Sequence, residues 1–394
     1  MFSGRFKAAH GIAWINDIVD LTLATCIFSM VLAGYLFIKR RPKISRITVF
    51  YVFIYIGFVI LAILSYYTGY QDKTATLKIQ KFVVFNTCML FAPILACSTG
   101  NRFPRLIRII LALSIIFAFD SIIQFAEGTK IKIGTLGGEG YQGLGRVSGI
   151  GLSMIIVLVL FTKVNVNKIY PLLFGAILFC STMISAARQS FAGFIVVGAF
   201  AIYSQNKMKS GVKLTKKYAS NYLALFLLFV IVFLFFEHFH HSERYLQRIG
   251  TMFSYDLIKQ NIRYYIWESA LHIWQDNPVL GVGFGAFSQF SGLLYYDHPH
   301  NLFLEILCEM GISGFLLLIN LIGVPLKIGI YASRRVDIDC LILTTAFLFI
   351  LSCTMFSGDI ASNRILFAFS GWLLAYKNVL MRISKSETYQ ANKR

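Results

Sequence analysis

Asp297-His298-Pro299-His300-Asn301-Leu302-Phe303-Leu304-Glu305-Ile306-Leu307-Cys308-Glu309-Met310-Gly311-Ile312-Ser313-Gly314 runs a knot of polar residues straight into an apolar helix long enough to cross a membrane. Asp297 is placed to N-cap that helix and Pro299 suits its first turn. His300 then falls among unpaired N–H groups at the positive end of the helix dipole. That environment disfavours a second positive charge and favours a neutral imidazole, the form a general base requires. One turn on, Glu305 shares a face with Asn301 and Glu309, and carboxylates inside a bilayer must pair or face a wet cavity. The plainer reading is that His300 and Glu305 cap and solvate a helix end.

Outward from this stretch the composition says the same. With 57% hydrophobic and only 14% charged residues over 394 positions, the chain is too apolar for a soluble protein and reads as all-α, polytopic and membrane-embedded, a single domain over 1–394. The net charge of +19 is no sign of nucleic acid, because Lys and Arg come in short clusters between apolar runs, as a membrane topology is written. The seven cysteines form no C-x-x-C pair and mostly sit inside apolar runs, where they read as core. Residues 1–14 lack the pattern of a cleaved signal, so the first span is expected to be retained.

Apolar runs predict helical spans near 15–38, 47–69, 81–99, 106–126, 148–162, 169–187, 189–205, 218–237, 301–332, 338–356 and 364–381, eleven or twelve in all. One set of connections, which includes Lys39–Arg46, Arg102–Arg108, Lys207–Lys217 and the tail, holds 23 of the 37 basic residues and is assigned to the cytoplasm. The 130s loop, Arg188 and the loop 238–300 then lie outside. An odd number of spans also puts the amino terminus outside, against the charges of Arg5 and Lys7.

Several segments imitate other chemistries. Gly134 to Arg146 is glycine-rich, but no strand precedes it and no G-K-[ST] closes it, so it is no nucleotide loop. As an outer loop it leads Arg146 either toward a glycan or pyrophosphate contact or to a snorkelling position at the interface. His238, His240 and His241 lack paired carboxylates at ligand spacing and read as interfacial residues; no metal site or cofactor is expected. Arg188, in Ile184-Ser185-Ala186-Ala187-Arg188-Gln189-Ser190, marks a pinch between two spans and taken alone is a membrane-edge arginine. From Arg263 to Trp274 apolar residues recur at helical spacing, giving an amphipathic helix within 238–300 that suits a membrane surface. Its aromatic belt is Tyr264, Tyr265, Trp267 and Trp274. Pro278 stops it, and Gly281, Gly283 and Gly285 permit a tight return toward His300.

Three of these stretches carry a family resemblance. The spacing H-N-x9-G-x-x-G (His300, Asn301, Gly311, Gly314) resembles the signature of the bacterial O-antigen ligase and polymerase superfamily. So do the small-residue segment before Arg188 and the pattern R-x3-W-x2-A-L-x6-P-x-L-G-x-G-x-G-x-F from Arg263 to Phe287. The resemblance implies a multi-span fold like that of the GT-C membrane glycosyltransferases, and an inner-membrane enzyme with its site facing the periplasm. It implies an undecaprenyl-pyrophosphate-linked donor, a glycan or lipid A core acceptor, and a chain-length regulator as a further partner. Arg188 and Arg263 would hold the pyrophosphate in a metal-independent, inverting transfer, with His300 as general base. Glu305 and Asp297 are the candidates for orienting the imidazole, and the spacing does not choose between them. His298 has the same composition as His300 but does not precede Asn301, so its removal is expected to cost much less. H-P-H-N-L-F-L-E and S-A-A-R-Q-S look slightly more like polymerase-type than ligase-type members. A flippase or exporter is the more distant alternative, since a transporter scatters ionisable residues over several mid-span positions, whereas here Asp20 and Asp120 are the few strays.

Overall fold

A computed structural model describes residues 20–98, 102–127, 141–161, 169–185, 187–207, 262–293, 296–333 and 337–391, with single positions between 223 and 234. All regular structure among them is helical. The helices are α1 Leu21–Arg40, α2 Arg46–Thr68, α3 Lys73–Cys97, α4 Phe103–Ala126, α5 Tyr141–Phe161, α6 Ile169–Ser185 and α7 Arg188–Lys207, then α8 Ile262–Asp276, α9 Leu302–Ser333, α10 Ile338–Thr354 and α11 Arg364–Ala391. Six of these (α1–α5 and α9) are long and apolar enough to cross a membrane, and the fold is that of a polytopic membrane protein. The expected span 218–237 is represented only by scattered helical positions. Residues 1–14, the Lys207–Lys217 cluster beyond Lys207 and His238, His240 and His241 lie outside the described residues.

Several of the described helices begin at a short polar side chain that caps them. Asp20 Oδ1 accepts from Thr22 N (2.8 Å) and Leu23 N (3.0 Å), which accounts for one acidic stray, and Asp72 Oδ1 accepts from Ala75 N at 2.6 Å. Long unbroken runs of α5 and α10 are buried, whereas α1, α2 and α4 expose large apolar side chains such as Phe28, Phe53 and Ile109. That is the pattern of inner helices ringed by lipid-facing ones. Without water to drive helices together, close packing at small residues holds them. Phe349 of α10 lies between Gly149 of α5 and Gly193 of α7, where an added Cβ would come within 1.9 Å and 2.6 Å of the ring. At one end of the bundle Asn378 ties three elements: Oδ1 accepts from Ser45 N and Thr48 Oγ1, and Nδ2 donates to Ser98 Oγ, each at 2.9 Å.

Three expectations need correction. α5 begins at Tyr141, seven residues before the expected span, so Arg146 stands on a helix and not in a loop. Its polar, glycine-containing first turns hide from a hydropathy reading because they pack against protein: a Cβ on Gly145 would lie 2.7 Å from Ala187 Cβ and Ser190 Oγ. In the amphipathic helix α8, Tyr264 and Tyr265 are exposed, but Trp267 and Trp274 turn inward beside Ile266, Ala270, Ile273 and Cys308. The third correction concerns the expected span 301–332, which is not one helix.

α9 is broken at Gly311, whose φ of 62° and ψ of −163° end one helix and start another. The backbone groups freed by the break are taken up by the glycine-rich return that follows α8. Val282 N donates to Cys308 O and Gly283 N to Glu309 O, each at 3.0 Å, while Ile312 N donates to Pro278 O at 2.9 Å. A membrane-embedded helix can be broken only where protein satisfies its backbone in this way. The two glycine motifs are therefore halves of one joint. Gly311 supplies the left-handed backbone, and a Cβ there would stand 2.3 Å from Val279 O. Gly311→Ala is expected to lower the detergent unfolding midpoint and the folded yield sharply. Gly57→Ala, at a site with nothing within 4 Å, should change neither. Equal behaviour of the two variants would contradict the joint.

Candidate functional site

His300 precedes α9 and is not part of it. Asn301 is the N-cap, its Oδ1 accepting from Phe303 N (3.0 Å) and Leu304 N (3.2 Å). Asp297 is exposed and Pro299 lies outside the helix, its carbonyl accepting from Trp267 Nε1 at 3.1 Å, so neither takes the position that the sequence suggested. A cap at Asn301 competes with one at Asp297, and the segment Asp297–His300 is instead held against α8 by the tryptophan. His300 carries φ 56°, one of two positive-φ non-glycine residues among those described. Such backbone costs on the order of 1–3 kcal/mol and persists where surrounding structure enforces it. Its ring stands 4.2 Å, centroid to centroid, from that of His298.

Below the histidines the two carboxylates of α9 share one cation. Lys78 of α3 places Nζ 2.6 Å from both Glu305 Oε1 and Glu309 Oε1, and all three side chains are buried. Each carboxylate also takes a backbone N–H from a different loop: Glu305 from Ile360 (3.0 Å), Glu309 from Gly285 (2.8 Å). Glu305 therefore acts on the site through Lys78 and the loop at 360 and not by hydrogen bonding to the imidazole. The cluster pins together α3, the broken helix, the glycine return and the loop between α10 and α11. Removing one partner of a buried ionic group leaves the others uncompensated, at a cost of about 3–5 kcal/mol. Lys78→Met should therefore lower the unfolding midpoint markedly. The triple variant Lys78→Met/Glu305→Gln/Glu309→Gln should recover much of that loss. An unchanged midpoint in the single variant would contradict the arrangement.

The loop between α10 and α11 is the part of the site that the sequence did not announce. Ser357 O accepts from Arg146 Nη2 at 2.7 Å, Ser357 Oγ is bonded to Gln142 Oε1, and Ile360 O accepts from Asn86 Nδ2 at 2.8 Å. Asn86 closes the π-turn Phe82–Asn86 inside α3, an irregularity that recurs at functional sites. Asp359, in the same loop, lies close enough to both histidines for its charge to act on them. Arg263 of α8 acts likewise on His300. Arg188 opens α7, whose neighbouring Gln189 donates to Gln142 O at 3.2 Å, so it stands at the α5 end that carries Arg146. Arg146, Arg263, Asn301, His300 and Glu305 thus converge at one end of the bundle, with Arg188 beside them and Asp297 at the rim. The sequence reading missed Lys78, Asp359 and Asn86. Only Lys78 had a signal: two carboxylates four residues apart in a span demand a buried cation somewhere in the chain.

The electrostatics favour neutral imidazoles. Burial is the leading cause of the lowered pKa of His300, with the charge of Arg263 adding to it and Asp359 and Asp297 opposing. The helix dipole expected from the sequence is not the leading cause. His298 is pushed down to about 4, first by burial and then by His300 and Lys78, with Asp359 opposing. For Asp359 burial acts upward, but Lys78, Ser362 and His298 outweigh it and hold the carboxyl below its usual range. The site thus offers neutral proton acceptors beside an ionised carboxylate and fixed guanidinium groups, a set suited to moving a proton near a bound anion. Among the described residues no three His, Cys, Asp or Glu side chains gather to hold a metal ion.

Residues 172–319 match the O-antigen ligase (Wzy_C) family model, which supports the O-antigen ligase and polymerase superfamily. The matched stretch holds Arg188, Arg263, His300, Gly311 and Gly314, while Lys78, Arg146 and Asp359 lie outside it. No curated protein matches the chain.

Proposed function

We propose that this chain, as a member of the O-antigen ligase and polymerase superfamily, transfers a surface glycan from an undecaprenyl-pyrophosphate donor to a hydroxyl acceptor at the periplasmic face of the inner membrane. The observation that carries the reading is the convergence of Arg263, the His298–His300 pair, Asp359 and Arg146 at one end of the bundle, away from the Asn378 knot. By helix alternation that end is opposite the connections holding most Lys and Arg, which supports a periplasmic site. Arg188 and Arg263 bind the pyrophosphate through their planar forks and stabilise the charge that develops on the departing oxygen, the part a divalent ion takes in many transferases. His300 accepts the proton of the acceptor hydroxyl as its oxygen attacks the anomeric carbon. A single displacement breaks the bond to pyrophosphate and inverts that carbon. Asp359 steadies the imidazolium that forms, a part sequence reasoning had left between Glu305 and Asp297.

Polymerase and ligase share the donor, arginines and base, so the acceptor separates them; the local sequence around Arg188 and His300 favours the polymerase. Gel analysis of surface glycan from a deletion strain tests this. Core capped with a single repeat indicates a polymerase, and bare core with accumulated long lipid-linked chains a ligase. Unaltered surface glycan would contradict both.

A further inference from the structure

The His298–His300 pair holds more than one base needs. His298 Nε2 and His300 Nδ1 are both enclosed, and among the described residues neither has a hydrogen-bonding partner. Their rings stand 4.2 Å apart at 70°. A buried polar atom left unpaired costs about 1–3 kcal/mol, so two on adjoining rings point to a shared polar occupant. The charged groups around the pair differ from side to side. The charge of Asp359 acts on both rings, those of Arg263 of α8 and Asp297 on His300, and that of Lys78 of α3, itself bound to Glu305 and Glu309 of α9, on His298. His300 therefore lies in the field of the arginine and His298 in that of the buried ionic cluster.

Resting on the transferase reading above, we propose that His298 is the site's second proton carrier, sharing the proton taken by His300 through one bridging water or hydroxyl, with the Asp359 carboxylate offsetting the charge. The acceptor hydroxyl gives its proton to His300 Nε2 as the new glycosidic bond forms. The Nδ1 proton of His300 moves to the bridge and the bridge gives a proton to His298 Nε2, while Asp359 stays ionised and offsets the charge until the proton passes to solvent. One proton is displaced in all, and pyrophosphate departs with the electron pair of the broken bond. This gives His298 a larger part than the bystander expected from its place outside the H-N motif, although one still smaller than that of His300.

The test uses full-length protein in lipid nanodiscs with a purified lipid-pyrophosphate oligosaccharide donor, comparing wild type, His298→Ala, His298→Gln and His300→Ala. Both His298 variants should lose about tenfold to a hundredfold in kcat with donor binding unchanged. Added imidazole should restore part of the rate to His298→Ala. The rate should depend on deuterium fraction along a curve in wild type, from several protons in flight, and along a straight line in the His298 variants. Wild-type turnover by His298→Gln with the curve intact overturns the proposal. So does loss of donor binding in both His298 variants without imidazole rescue, which is the mark of a packing residue. If His300→Ala is impaired while the His298 variants are not, only the second carrier falls. If His300→Ala turns over at the wild-type rate, the base assignment falls and the relay with it.

Discussion

Replacing His300 by alanine is expected to slow transfer by about 10² to 10⁴ while leaving donor binding in place, because proton abstraction is lost but the arginines still hold the pyrophosphate. Parallel turnover and donor-binding measurements check this. Loss of binding as complete as in an arginine variant would remove His300 from the role of base. The pH dependence follows from the same environment. Burial and Arg263 lower the imidazole's pKa, so the neutral, active form persists below the free value of about 6.5. At pH 6 a free imidazole is about three-quarters protonated, whereas the wild-type enzyme should lose its rate only at lower pH than a free imidazole would. The sign for stability is the same. The unfolded chain takes up protons at His298 and His300 near pH 6.5 and the folded chain only at lower pH, down to about 4 at His298. Folded stability from these groups is therefore present above pH 6.5 and drains away as pH falls below it.

The second large effect is expected from a change that keeps charge. Arg263→Lys and Arg188→Lys each retain a cation but lose the planar fork, and each should cut transfer on the order of 10² to 10³, the range for losing one preorganised donor to a developing oxyanion. Arg263→Lys carries a second signature. Because Arg263 charges the surroundings of His300, a displaced cation there should move the acid limb of the pH–rate profile upward toward 6.5, while Arg188→Lys should leave its position unchanged. Near-normal turnover in both lysine variants would show that positive charge alone suffices.

Much of the fold is legible in the sequence because lipid imposes long apolar runs. The helices fall where the runs do, from α2 at Arg46–Thr68 to α10 at Ile338–Thr354. Legibility fails where protein takes the place of lipid as the neighbour. The first turns of α5 are polar and glycine-bearing because they pack against Ala187 and Ser190, and hydropathy reads them as loop. The break at Gly311 leaves no mark on hydropathy, since a positive φ changes no side chain, although the glycine spacing carries it. At the site, His300, Arg263 and Arg188 stand out by motif, and Asn301 takes the cap expected at Asp297 because either can cap. Lys78 falls in the connection between the expected spans 47–69 and 81–99. Its partner Glu309 is 231 residues away, and no local pattern reveals a pairing at that distance. Asp359 is a lone carboxylate between two spans until the α10–α11 loop brings its charge to bear on the histidines.

The central claim is that this convergence of arginines and imidazoles breaks and remakes a glycosidic bond instead of carrying lipid across the bilayer. It is met most directly by purified protein reconstituted into vesicles with a labelled undecaprenyl-pyrophosphate-linked oligosaccharide, following product length and label sidedness together. The expected product is a lengthened or newly attached glycan with release of undecaprenyl pyrophosphate, abolished by His300→Ala. Translocation of unaltered donor between leaflets, at equal rates in wild type and His300→Ala and with no new glycosidic bond, would contradict it.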